Sequence, residues 1–455
     1  MFSRARLSYI WSLLSENYWT VPATMLVSAV GLSFLLPWID HQVGDAASLV
    51  PDWLYGGGPA GARLLLSTIS GSMITVAALT FSITIVGLST ASQQFGPRLI
   101  RNFVADRGYQ VALGTFLSIF IYSLFILRTV RDDVPTRFVP YISVAVALAF
   151  ALAGAFVLIY FIHHAAMSLR AEKLVSTTGR ELRSAIEDLF PRGTGSETEG
   201  EDAVGELEER FPSGPQVFAA RDSGYIQAID EEGLADLAEE HDLVLRLEHR
   251  VGHFVGRETQ LVEIWTHGDV SEELEDGIDG CLVLGADRTV RRNVESSIGQ
   301  LVEIAVRALS PGINDPDTAL TCIDQLVDAV GLAGGRRIPP SLVRRDGEIR
   351  LVTYPLDFNH LLSACFDSIR QYGRGSVPVA VRLLEGLASL GSRMQSESHR
   401  EALLHHAAMV WRSNQGAIPE PDDLRFIQER YHVAERALVD AGGTRLTGAT
   451  RDYGD

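Results

Sequence analysis

The sequence predicts an α-helical integral membrane protein of four transmembrane helices with a C-terminal cytoplasmic α+β region, a small mainly-β module followed by a helical domain. Three observations predict it. Apolar residues, 46% of the 455, concentrate before residue 165 in four runs. Each is long enough, at 1.5 Å per helical residue, to cross a hydrocarbon core about 30 Å thick. Charge divides at the same place: residues 1–164 hold nine Arg, no Lys and seven Asp or Glu, whereas the remainder holds 30 basic and 50 acidic side chains. Past residue 215 the apolar residues first alternate or form short runs, then take a helical period.

The spans fall at about 21–39, 64–92, 111–127 and 139–162, so the membrane domain covers 1–164. The first run is preceded by a Trp-containing stretch without a small-residue cleavage site, so it is expected to stay as an anchor rather than leave as a signal peptide. Arg4 and Arg6 precede span one, Arg98, Arg101 and Arg107 lie between spans two and three, and Arg170 and Lys173 follow span four. Arginine near these ends favours cytoplasmic N and C termini, with Arg63 in one opposite loop and Arg128, Arg131 and Arg137 in the other as the opposing count. Cys281, Cys322 and Cys365 have neither the spacing of a metal site nor an even-numbered disulfide framework, which fits a reducing compartment.

Residues 165–190 read as a helix connecting span four to the tail, and 191–215 (PRGTGSETEGEDAVGELEERFPSGP) as a flexible acidic linker or loop. The runs QVFAA, GYIQAID, DLVLRLE, HFVGRETQLVEIW and GCLVLG predict strands of a module over 216–285, with EEGLADLAEEH as a short helix. From 286 to 455 a helical domain is expected, with a helix through Ile298 to Leu309, a break at SPGINDP, and further helices near 316, 357–372, 376–391, 397–413 and 420–440.

Three stretches together are characteristic: SMITVAALTFSITIVGLSTASQQFGPRLIRNF, GYIQAID, and RRNVESSIGQLVEIAVRALSPGINDPDTALTCID. Their combination resembles a bacterial membrane family known as domain of unknown function 2254, over nearly the whole chain. The resemblance implies an integral inner-membrane protein with a soluble C-terminal domain, and it transfers no catalytic residues.

Composition and motifs exclude several classes. The acidic tail lacks the basic footprint of a nucleic-acid binder. No HExxH, CxxC, G-x-x-x-x-G-K-[ST] or G-x-S-x-G occurs, so no metal site, cofactor or enzyme activity is expected. His163 and His164, adjacent at the end of span four, read as interfacial or packing residues; His249 and His253 read as part of a β turn.

Span two carries the strongest pattern. Thr68, Thr75, Ser82 and Ser89 recur every seven residues, nearly one helix face drifting by about 20° per repeat. Such a strip serves either as a packing seam between helices or, in a homo-oligomer, as the hydroxyl lining of a water-filled path for small ions. No ionisable residue lies within 64–92, which argues against a proton-coupled carrier and for passive conduction. Gln93, Gln94, Phe95, Gly96, Pro97 and Arg98 follow as gate candidates: a glutamine constriction, a phenylalanine closing it by dewetting, and a Gly-Pro hinge. In the tail, Arg291, Arg292, Arg307, Asn314, Asp315 and Asp317 cluster around SPGINDP and could hold a charged cytoplasmic ligand. The same residues also suit a turn that ends one helix and caps the next. Membrane lipid, a second copy of the chain and a cytoplasmic ligand or protein are the expected partners. The main alternative to a channel is a non-conducting scaffold or signalling protein whose tail binds a protein or small ligand.

Overall fold

The computed structural model describes residues 19–43, 58–96, 106–132, 138–168, 171–190, 199–286, 294–336, 342–354, 356–394 and 396–443. The chain divides into two compact units, the first ending at Lys173 and the second beginning at Leu174.

Four helices make the first unit: α1 (Thr20–Val43), α2 (Pro59–Phe95), α3 (Arg107–Thr129) and α4 (Tyr141–Ser168). All four are long and apolar enough to cross a membrane. Helix α3 is the central one and packs against the other three. Its Phe116, Ile119, Tyr122 and Ile126 are fully or almost fully buried, against Ala62, Leu66 and Ile69 of α2 and Val144 and Ala147 of α4 in one cluster, and against Ala77 of α2 and Phe161 of α4 in another. Small residues on α2 and α4 at these contacts let the helix backbones approach, which substitutes for the missing hydrophobic drive between helices in lipid.

The second unit starts with α5 (Ala171–Leu189), which from Leu174 on belongs to the tail. Its apolar stripe Leu174, Val175, Leu182, Ala185 and Ile186 is buried, and Arg183 pairs with Asp328. Within the stretch expected to be a flexible linker, residues 199–210 form α6 (Glu199–Arg210). The helix holds because Leu207 and the following Phe211 are buried against Val244, Trp265, Ile349 and Val352, an anchor that the acidic composition conceals.

Two sheets follow. Strands β1 (Gln216–Ala219), β2 (Gly224–Ile229), β3 (Val244–Leu247), β4 (Phe254–Val255), β5 (Gln260–Trp265) and β6 (Leu282–Gly285) lie in the expected module, with α7 (Glu231–Glu240) and α8 (Glu272–Cys281) between them. Helix α7 matches the expected one; α8 falls where acidic turns were expected, capped by the Ser271 side chain on the Leu274 N–H. The module is not closed by its own segment. Strands β7 (Leu342–Arg345) and β8 (Glu348–Val352), from the stretch expected to be wholly helical, complete a five-stranded sheet of order β1-β5-β3-β8-β7, with β3 and β8 parallel. The other sheet has the order β4-β2-β6. A core of Phe218, Ile226, Leu234, Leu245, Val262, Ile264, Ile278 and Leu351 fills the module.

The helical part comprises α9 (Val294–Ala308), α10 (Pro316–Gly334), α11 (Phe358–Tyr372), α12 (Val377–Leu390), α13 (Glu397–Asn414) and α14 (Pro421–Gly443), within a few residues of the expected helices. Leu326, Leu362, Leu384, Leu387 and Leu403 are completely buried within it.

Candidate functional site

The seven-residue stripe lies on the outward side of α2. Nine residues are two and a half helical turns, which places Thr75 opposite Leu66, Thr68 opposite Ala77 and Ser82 opposite Ala91. The second member of each pair is buried, whereas Thr68, Thr75, Ser82 and Ser89 are all exposed. Gly71, Ser72, Ala78 and Thr90 are exposed with them, interleaved with Leu64, Leu79 and Val86. The stripe therefore does not pack against the other spans of its own chain. The Thr68 hydroxyl donates to the Leu64 carbonyl (2.7 Å) and that of Thr75 to Gly71 (2.9 Å), which satisfies both hydroxyls without an external partner.

At the end of α2, Gly96 takes φ +105° and its N–H donates to the Ser92 carbonyl at 3.2 Å, so the helix stops at Phe95. A residue with a Cβ would be strained in that conformation. Gln93 is exposed. The side chains of Gln94 and Phe95, and Pro97 and Arg98 altogether, lie outside the described residues.

Two polar constellations in the first unit are invisible to local sequence reasoning. Asp40, 3% exposed in the last turn of α1, accepts from the N–H of Ile142 (2.9 Å) and from the N–H and hydroxyl of Ser143 (3.0 and 2.6 Å). A carboxylate from another helix thus caps the N-terminus of α4, where unpaired amides and the positive dipole end favour an anion. Tyr122 of α3 donates to the Ser143 carbonyl at 3.0 Å, tying a third span to the same turn. At the opposite ends of these helices, Asp106 caps α3 by accepting from the Gly108 N–H (2.7 Å). His164 of α4 places Nε2 2.9 Å from both Asp106 oxygens, between the rings of Tyr109 and Tyr160. His164 accordingly has a packing role of the kind expected, with Asp106 as its specific partner.

In the tail, SPGINDP forms a turn. Asn314 adopts φ +52° and its N–H donates to the Ser310 carbonyl, while that of Asp315 donates to Ala308. The Asp315 carboxylate caps α10, accepting from the Thr318 N–H (3.1 Å) and hydroxyl (2.6 Å). Arg307 leans on Glu303 of its own helix (3.4 Å), and Asp317 is exposed in the first turn of α10. Arg291 and Arg292 lie outside the described residues. Among the others, the geometry is that of a helix stop and start. His249 and His253 stack edge to face, 5.8 Å between centroids, and no group of three potential metal ligands occurs among the described residues.

Burial, with an added push from Asp315, raises the Cys322 thiol to about 12, and burial with nearby Asp230 raises Cys281 to about 11. Burial alone pushes Cys365 up as well. Each thiol is thereby held in its protonated form at neutral pH.

A family model described as "Predicted membrane protein (DUF2254)" matches residues 15–389. The chain belongs to this family. The DUF2254 match runs through all four spans, both sheets and the helical part as far as α12. Two mycobacterial relatives, "Uncharacterized protein Rv1290c" of Mycobacterium tuberculosis and "Uncharacterized protein Mb1321c" of Mycobacterium bovis, are each 30% identical over 428 residues, covering 92% of this chain and 80% of the relative. No solved structure matches the chain.

Proposed function

We propose that this membrane protein assembles as a homo-oligomeric channel for small ions, with residues 64–92 of α2 lining the pore and the C-terminal region acting as a sensory or gating domain. The observation that carries the reading is the outward stripe of Thr68, Thr75, Ser82 and Ser89. In a monomer it would meet lipid; around a symmetry axis, four hydroxyl rings would face a shared passage free of buried charge. The reading places both termini in the cytoplasm of a bacterial inner membrane, following the arginines at the span ends, and assigns neither catalysis nor a cofactor. The acidic tail and the arginines near the mouth pull ion preference in opposite directions.

The second reading is a non-conducting scaffold or signalling protein whose tail binds a protein or small ligand. It is favoured by the inward satisfaction of the Thr68 and Thr75 hydroxyls, which lets the same stripe seat a second helix without water. Purified protein in a planar bilayer separates the two. The channel predicts single-channel currents altered by Ser82→Ala and closed-state leakage altered by Phe95→Ala. Silence at both voltage polarities and under membrane tension would overturn it in favour of the scaffold.

A further inference from the structure

The tail contains a cationic cavity remote in sequence from SPGINDP. It is an open cleft of about 420 Å³ lined by Arg370, Gln371, Arg374, Arg412 and Ser413. Arg370 and Gln371 close the C-terminal turn of α11, Arg374 sits in the loop that follows, and Arg412 and Ser413 come from the last turn of α13. We propose that this cavity binds a small phosphate-type anion.

Four features carry the proposal. First, the charge is unbalanced. Arg370 has a carboxylate partner, Asp367 at 3.3 Å, whereas Arg374 and Arg412 form no ion pair among the described residues and are exposed. Three guanidinium groups thus face one carboxylate in a chain of net charge −18. Second, the Arg370 guanidinium is under-satisfied within the protein: its Nε is buried without an acceptor among the described residues, although buried guanidinium N–H groups are ordinarily satisfied, so its charge is offset at Asp367 alone among them. Third, the site is built. Asn414, 2% exposed, accepts from the Gly375 N–H (3.0 Å) and donates to the Val410 carbonyl (2.8 Å). It thereby pins the loop carrying Arg374 to the helix end carrying Arg412. The loop can turn there because Gly375 takes φ +86°. Fourth, the chemistry matches: planar guanidinium forks suit the tetrahedral, multiply charged oxygens of phosphate better than any neutral ligand.

A cation in a last helical turn is favoured by the helix dipole without any ligand. That accounts for one arginine at each helix end. It does not account for the third, held in the loop and converging on the same cavity.

A soluble phosphate compound and a phospholipid headgroup share this chemistry, so the experiment distinguishes them. Full-length protein in zwitterionic nanodiscs is titrated with sodium pyrophosphate by isothermal calorimetry. Saturable binding is expected, weakened at least about tenfold in Arg374→Gln/Arg412→Gln. Both side chains are exposed and have no carboxylate partner among the described residues, so the variant should fold, and its melting temperature without pyrophosphate checks this; Arg374→Gln alone is the fallback. Repetition in phosphatidylglycerol nanodiscs assigns the source. Binding suppressed by the anionic lipid points to a headgroup, and binding left unchanged points to a soluble ligand. No saturable binding in zwitterionic discs, or equal binding by the folded variant, overturns the proposal. The result is independent of whether the protein conducts.

Discussion

Helices α2 and α4 both pack on α3 with one side and turn the other outward, but the outward sides differ in chemistry. That of α4 presents Leu152, Ala153, Ala155, Phe156, Ile159 and Ile162, the composition expected against acyl chains. That of α2 presents Thr68, Ser72, Thr75, Ser82, Ser89 and Thr90 among its apolar residues. Both meet the requirement to span, which depends only on length and mean polarity. The difference teaches that span two carries polar residues on both sides: Ser70 and Thr80 are buried beside Ala62, Leu66, Ile69 and Ala77, and the exposed hydroxyls come in addition to these.

The strongest way to break this comparison is to release α4 from its place. Asp40→Ala leaves the Ile142 and Ser143 amides and the Ser143 hydroxyl without their acceptor in a buried turn, an expected loss of about 2–5 kcal/mol. A lower melting temperature of the purified protein checks it, and Asp40→Asn should recover part of the loss. Next, adjacent residues of α2 should respond oppositely to the same bulk. Ala77→Trp enters the cluster with Tyr109, Phe116 and Phe161 and is expected to cost about 1–3 kcal/mol by overpacking. Ala78→Trp, one position round the helix and exposed, lies outside that cluster and should lower the melting temperature less than Ala77→Trp does.

Cross-linking sharpens the comparison without disturbing stability. With the wild-type chain, which carries Cys281, Cys322 and Cys365, as the control, Ser82→Cys should form an additional dimer band under mild oxidation in membranes. Phe156→Cys should not. Equal cross-linking at both positions would erase the distinction between the two faces. The smallest expected effect lies in the tail. No titratable side chain occurs in α2 between Leu64 and Ser92, so pH should act elsewhere, and His406 is one place. Burial lowers its pKa below the ordinary 6.5, opposed by Asp367 at 4.0 Å and assisted by His405 and Arg370. A histidine with a depressed folded pKa contributes stability above the unfolded value and loses it as pH falls through the folded one. Melting temperature should therefore decline on acidification below about pH 6.5, less so in His406→Gln.

The spans were legible because each is a local property, a run of apolar residues of sufficient length. The helices from α9 to α14 were legible for the same reason, with Asp315 and Pro316 marking the start of α10. Strands β7 and β8 left a readable trace, the Asp346-Gly347 pair, whose positive φ values of 50° and 85° make their two-residue turn; Asp-Gly is a hairpin signal. Helix α6 left little, because two anchors, Leu207 and Phe211, hold an otherwise acidic segment. Neither the Asp106–His164 contact nor the arginine cavity could be read locally, since each joins residues from separate helices.

By itself the sequence determined the number of spans, the division between an apolar and an acidic half, the helical tail, and the seven-residue recurrence of Thr68, Thr75, Ser82 and Ser89. Those follow from composition and period, which neighbouring residues set among themselves. Only the tertiary structure decided that the recurrence faces outward, that Asp40 caps a helix 102 residues away, and that β8 pairs with β3. Period fixes which residues share a face, whereas the direction of that face is set by where the other helices bury their apolar surface.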